Sequence, residues 1–165
     1  TNYFFIKLII LLGIIKYPLK TKDFMKLTTK GRYAVMAMAD LAANQNNKPV
    51  SLNDISLRQN ISLSYLEQLF LKLKNKKLVK SIRGAAGGYI LEKKPGDITV
   101  SNIIFAVDEQ IKTLKCKKDS KKGCNGKTFK CITHNLWDDL EQHITNFFDS
   151  VNLSDLIKNK NGNLK

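Results

Sequence analysis

The sequence predicts a mainly α-helical fold with a small β-wing: a winged helix-turn-helix followed by a long helix suited to dimerisation. Three observations lead there. Two short apolar-periodic segments flank a tight turn at Gln59-Asn60-Ile61. Two short strand candidates follow, separated by the glycine-rich stretch Gly84-Ala-Ala-Gly87-Gly88. A long amphipathic segment then runs from Ile132. A helix pair completed by a hairpin is the winged-helix pattern.

Taken in order, residues 1–24 come first. Their longest charge-free apolar run, Leu8–Ile15, is too short to span a bilayer, and no small-x-small cleavage site follows. We read this stretch as a non-native or upstream-translated leader, with Met25 as the native start. A membrane anchor is the alternative, and no membrane partner is expected once the leader is discounted.

From Lys30 to Asn44, Tyr33, Ala34, Met36, Ala37, Met38, Leu41 and Ala42 recur at helical spacing. Thr28 or Thr29 can cap this helix. Ser51-Leu-Asn-Asp54 resembles a capping box and opens a short helix carrying Leu52, Ile55 and Leu57. Ser62 or Ser64 caps the next helix, whose stripe is Leu63, Leu66, Leu69, Phe70 and Leu73. Leu78–Arg83 and Tyr89–Leu91 are the hairpin strands, and the glycines between them permit a tight reversal. Pro95-Gly96 breaks the chain. Ile98–Val100 is a further strand candidate, and Ser101 a cap for a helix through Val107.

Lys112–Lys130 shows no periodicity, is rich in lysine and reads as a loop. The last helix aligns Leu136, Leu140, Ile144 and Phe147/Phe148 on one stripe, with Asp138, Asp139, Glu141 and Gln142 opposite. Such a helix packs on a partner chain or back on its own domain. The expected division is a leader over 1–24, a winged helix-turn-helix over 25–107 and a Cys/His loop over 108–134. A dimerisation helix and C-terminal segment over 132–158 and a tail over 159–165 complete it.

Charge narrows the function. Lys+Arg 28 against Asp+Glu 14 gives +14, an attraction to nucleic acid or an acidic membrane. There is no Cys-x-x-Cys, nucleophile elbow or phosphate-cradling loop, so no enzyme chemistry is indicated. In a helix-turn-helix the second helix presents its first residues to base edges. Here these are Ser62, Ser64, Tyr65, Glu67 and Gln68. Gln can pair with adenine, and Glu67 can accept from a cytosine amino group or serve as a capping partner of Ser64. Tyr65 packs or reaches a phosphate, and packing fits it better. Lys72 and Lys74, with Lys76, Lys77 and Lys80, suit backbone phosphates. Arg83 heads a thin wing turn suited to the minor groove. The expected partner is double-stranded operator DNA.

The three cysteines fall between Cys116 and Cys131, with Cys124 between them and His134 just beyond. An odd, clustered count argues against a disulfide framework and for a reducing, cytoplasmic setting. Three thiolates and an imidazole suit either zinc or an iron–sulfur cluster. Cys131 and His134 stand one helical turn apart and can face one ion or cluster. His143 reads as a surface or interface residue.

At this point the motifs converge on a known family. Met25-Lys-Leu-Thr-Thr-Lys-Gly-Arg-Tyr-Ala-Val35, Ile61-Ser-Leu-Ser-Tyr-Leu-Glu-Gln-Leu-Phe70 and Arg83-Gly…Gly87-Gly-Tyr89 resemble the iron–sulfur cluster regulator family, commonly called IscR. Ala106-Val-Asp-Glu109 and Cys131-Ile-Thr-His-Asn-Leu-Trp137 extend the resemblance to about Leu156. The resemblance implies a homodimer with crossed long helices and a [2Fe–2S] cluster on Cys116, Cys124, Cys131 and His134. It implies repression of cluster-assembly genes when loaded, a cluster-free form that binds a second class of sites, and the assembly machinery as cluster donor. The position of Glu67 discriminates site classes in the family, and those of Ser64 and Arg83 contact DNA. The intervals between cysteines are longer than in the best-known members, and Ala85-Ala86 stands where Pro-Gly is common. A nitric-oxide-sensing relative with a [4Fe–4S] cluster is the alternative, as is a zinc-stabilised DNA-binding protein. Cys-x-x-His followed by Leu136-Trp137 favours the assembly branch.

Overall fold

The computed structural model describes residues 28–46, 48–109, 124 and 130–158. The expected leader, Met25 and Cys116 lie outside the described residues.

Helix α1, Thr29–Asn44, is the centre of the molecule. Thr28 caps it in an extended conformation, its hydroxyl accepting from the Lys30 N–H. Ala34, Ala37, Met38 and Leu41 lie one turn apart and are completely buried, so this helix is the post on which the rest packs. Helix α2, Leu52–Gln59, starts at Ser51, whose hydroxyl accepts from the Asp54 N–H. It ends at Asn60, whose left-handed backbone (φ 52°) stops the helix. The Ser56 hydroxyl then donates to the Ile61 carbonyl at 2.6 Å and fixes the turn. Ile55 is the buried residue of α2. Leu57, expected on the apolar face, is 75% exposed, because the short helix turns only one stripe inward.

Helix α3, Leu63–Asn75, buries Leu66, Leu69, Phe70 and Leu73. Of the expected stripe, Leu63 alone stays exposed, at the solvent end of the first turn. Strands β1, Val79–Ile82, and β2, Gly88–Leu91, pair antiparallel, with Val79 opposite Leu91 and Ile82 opposite Gly88. Val50 bridges to Tyr89 on the other side of β2. Gly88 is required there, since any Cβ would collide with the Val50 carbonyl. Phe70 packs edge-on against Tyr89, with centroids 4.9 Å apart, and so ties α3 to the wing.

Beyond the wing, two expectations need correction. Ile98–Val100 is no strand, and Ser101 is no cap. Pro95–Asp97 forms a 3-10 turn, and helix α4, Val100–Ala106, is capped by Thr99. Asn102 completes a reciprocal box, its side chain accepting from the Thr99 N–H while the Thr99 hydroxyl accepts from the Asn102 N–H. An asparagine three residues after Thr99 outcompetes Ser101, which is buried in the first turn.

Helix α5 spans His134–Ser150, starting two residues later than the apolar pattern suggests and leaving Ile132 exposed. The chain breaks at Val151-Asn152, where Asn152 bridges to Thr99. Asn152 and Asp155 then exchange side chain-to-backbone hydrogen bonds, opening helix α6, Leu153–Lys158. The fully buried Leu153 anchors α6 back against α1. Among the described residues no helix is long and apolar enough to cross a membrane.

Candidate nucleic-acid interface and cysteine-histidine site

The helix-turn-helix is braced from beneath. Asp40 of α1 is buried, and Arg58 of α2 grips both of its carboxylate oxygens at 2.6 to 3.1 Å. Gln59 donates a further bond at 2.7 Å. Burial alone would raise the Asp40 carboxyl pKa. The bonds from Arg58 and Gln59 more than offset that and hold it below the ordinary carboxylate value. A bidentate guanidinium–carboxylate pair fixes direction as well as distance, so α2 is locked at one angle to α1.

On this base α3 begins at Ser62, which has helix-entry backbone geometry but no side-chain capping bond. Ser62, Ser64, Glu67 and Gln68 are all exposed. Ser64 sits inside the first turn, not at the cap, so Glu67 is not the third residue of a capping box. Its carboxylate is left on the surface beside the serines. Tyr65 is half-buried, edge-on to Tyr33 of α1 with centroids 6.0 Å apart. A polar cleft between the starts of α1 and α3 is lined by Thr29, Tyr33, Ser62, Ser64, Tyr65 and Gln68.

Two of the lysines expected at phosphates have partners within the chain. Lys74 donates to the Ser81 hydroxyl of β1 at 2.9 Å. Lys72 pairs with Asp108 at 2.7 Å. Arg83 leaves β1 fully outward, at the head of a turn closed by the Gly87 N–H to the Gly84 carbonyl at 3.0 Å. Gly84 has φ 122°, outside the range of ordinary side chains, and a Cβ at Gly87 would lie 2.6 Å from the Ile82 carbonyl oxygen.

Of the four candidate metal ligands, two come together. The Cys124 Sγ lies 3.2 Å from His134 Nδ1, although ten residues separate them in sequence. His134 is the first residue of α5 and is 4% exposed. Its backbone N–H donates to the Cys131 carbonyl at 3.0 Å. The Cys131 side chain is exposed, with its sulfur 3.7 Å from the Thr133 hydroxyl. Cys116 is outside the described residues, and no cluster of three or more metal-ligating groups forms among the described ones. A thiol against a buried imidazole is nonetheless a donor pair that soft metal centres take. His143 is exposed, as expected for a surface residue.

A model of the Rrf2 family, described as iron-dependent transcriptional regulators, matches residues 27–159. The chain belongs to the Rrf2 family. Its relatives include the HTH-type transcriptional regulator IscR of Klebsiella pneumoniae, 51% identical over 136 residues, which cover 82% of each chain. IscR of Photorhabdus laumondii is 50% identical, covering 82% of this chain and 81% of its own. Among solved structures, T. potens IscR has 40% identity and a TM-score of 0.66, covering 81% of this chain and 87% of that one. CymR, the global cysteine regulator of B. subtilis, has 35% identity and a TM-score of 0.70, covering 84% of this chain and all of the other. The winged-helix fold of these Rrf2 proteins is the fold described above, and the chain is a DNA-binding transcriptional regulator, not an enzyme.

Sequence reasoning about this Rrf2 chain passed over two groups of residues. Asp40, Arg58 and Gln59 lie up to 19 positions apart and carry no local pattern. Asp108 and Glu109 stood in the sequence only as part of a motif without a role. The structure joins them to α1 and α3, and the signal that could have found them was an acidic pair amid so much lysine.

Proposed function

We propose that this Rrf2 protein is a cytoplasmic, iron–sulfur-sensing regulator that binds double-stranded operator DNA as a homodimer. In this reading Ser62, Ser64, Glu67 and Gln68 face base edges, Arg83 enters the minor groove, and Lys72 and Lys74 serve phosphates. Tyr65 positions α3 from behind through Tyr33. Cys116, Cys124, Cys131 and His134 hold a [2Fe–2S] cluster delivered by the assembly machinery, and the loaded form represses cluster-assembly genes. Bound there, the cluster supplies a redox-sensitive, removable cross-link among otherwise distant residues. His134 supplies an imidazole buried at the start of α5, with its Nδ1 3.2 Å from the Cys124 Sγ.

The observation that carries the metal reading is the approach of Cys124 Sγ to His134 Nδ1 at the root of α5. The homodimer reading rests on the α5 stripe, where Leu136 is 60% and Phe147 52% exposed. The test is anaerobic purification with iron, sulfide and zinc analysis and a visible spectrum, beside a C116A/C124A/C131A variant. Equimolar iron and sulfide with a [2Fe–2S] spectrum, lost in the variant, is the expected result. A [4Fe–4S] spectrum would move the assignment to the nitric-oxide-sensing branch. A colourless protein containing zinc would leave only the DNA-binding half standing.

A further inference from the structure

Helix α4 ends in a Schellman motif. The Glu109 N–H donates to the Ile104 carbonyl at 3.2 Å and the Asp108 N–H to the Phe105 carbonyl at 3.1 Å. The residue that must turn left-handed is Asp108, at φ 55°. Glycine is the usual occupant of that place because it has no Cβ to strain. An aspartate there calls for a role for its side chain, and the surroundings supply one. Lys72 of α3 donates to its carboxylate at 2.7 Å, and Lys30 of α1 donates to its carbonyl at 3.2 Å. Those contacts with Lys72, joined by the fields of Lys30 and Lys76, hold the Asp108 carboxyl below the ordinary carboxylate range, so it is an anion at neutral pH. The next residue is the anchor. Glu109 is 7% exposed and accepts from the Thr28 hydroxyl at 2.5 Å and the Thr28 N–H at 3.2 Å. Thr28 is itself the cap of α1. The Asp108 carboxylate is therefore held at a fixed place, on exposed surface, among lysines from the two helices that form the DNA-facing cleft.

We propose that Asp108 is a built-in phosphate mimic that competes with the DNA backbone for Lys72 and so lowers the affinity of α3 for any duplex. Lys72 lies seven residues after Tyr65 and four after Gln68, which line that cleft, and so stands on their side of α3. An exposed carboxylate–ammonium pair is weak enough for a polyanion to displace it. Asp108 thus sets a baseline affinity without touching sequence choice, which belongs to the residues at the start of α3. The proposal rests on the reading that α3 lies against DNA.

The experiment is a binding titration with a duplex of random sequence at low and moderate salt. It uses the full chain, D108N, D108G, K72Q and the K72Q/D108N double variant. Asparagine and glycine both accept the left-handed backbone, so both variants keep the helix end, and thermal melting checks this. D108N and D108G should bind about two- to fivefold tighter at low salt, the range an exposed ion pair can withhold. The gain should vanish when Lys72 is already glutamine. A gain of the same size in the K72Q background would reduce the effect to overall charge and overturn the proposal. Unchanged affinity in D108N and D108G would also overturn it. Failure of the unaltered chain to bind duplex at all would instead remove the reading of α3 on which it rests.

Discussion

The carboxylate of Asp40 and that of Glu67 show how position decides what the same chemistry does. Asp40 is buried under the helix-turn-helix, where burial raises its carboxyl pKa and the bonds from Arg58 and Gln59 more than offset that rise. Replacing it with alanine leaves the guanidinium without its partner and should cost about 1–3 kcal/mol of stability, read from urea unfolding. The pH dependence follows from the lowered pKa. In the acid range the folded protein holds fewer protons on this group than the unfolded chain does. Its contribution is complete above the unfolded value, about 3.9, and is lost as pH falls through the lower folded value. The unaltered protein should therefore lose more stability than D40N between about pH 5 and about pH 3. Equal losses would show that the pair does not link to protons. Glu67, by contrast, is exposed near the start of α3. E67A should melt within about 0.5 kcal/mol of the parent and yet relax discrimination between two classes of operator sites in a competition assay. Unchanged relative affinities would remove Glu67 from the specificity set.

At the scale of elements, α3 and α5 are both amphipathic but find different fates. The apolar stripe of α3 is consumed by its own domain, where Phe70 fills the space between α1 and the wing. F70A should cost about 3–5 kcal/mol and loosen the wing together with the helix, since the ring belongs to both. Protease sensitivity of the Arg83–Gly88 turn would register that loosening. The stripe of α5 meets its own domain through Phe148, which packs on the cluster of Val100, Ile104 and Val151 that Val35 of α1 and Leu156 of α6 also cover, while Leu136 and Phe147 are exposed. L136E should convert a dimer to a monomer in sedimentation experiments with little loss of helix content. A persisting dimer would place the interface elsewhere. The sequence made the existence of both stripes plain, because a 3.6-residue period is local. It could not say which stripe would meet its own domain. That is decided by contacts made across distance, such as the return of α6 onto α1 through its buried Leu153. The misread segment at Ile98–Val100 has the same origin. Its β-branched residues suit a strand, but the Thr99–Asn102 box offers a helix start, and one bridge to Asn152 takes the only strand-like pairing formed there.

Across the whole molecule, a DNA-binding unit built on α1 joins a cysteine-histidine site at the root of α5, and Asp108-Glu109 stands where the chain leaves the first for the second. The C116A/C124A/C131A variant should lose iron and sulfide together while its winged helix still melts cooperatively, because no described core residue is a cysteine. A collapse of the fold in that variant would make the site structural. What the sequence by itself determined was everything that rests on neighbours along the chain. That covers the two helices around Asn60, the glycine wing and the basic charge. The tertiary structure alone decided the contacts made across distance: Arg58 on Asp40, Lys72 on Asp108, Thr28 on Glu109, and Cys124 on His134. The reason is physical. Periodicity, capping and turn chemistry are set within a few residues, whereas an ion pair or a ligand pair forms wherever packing of the apolar core happens to bring two side chains together.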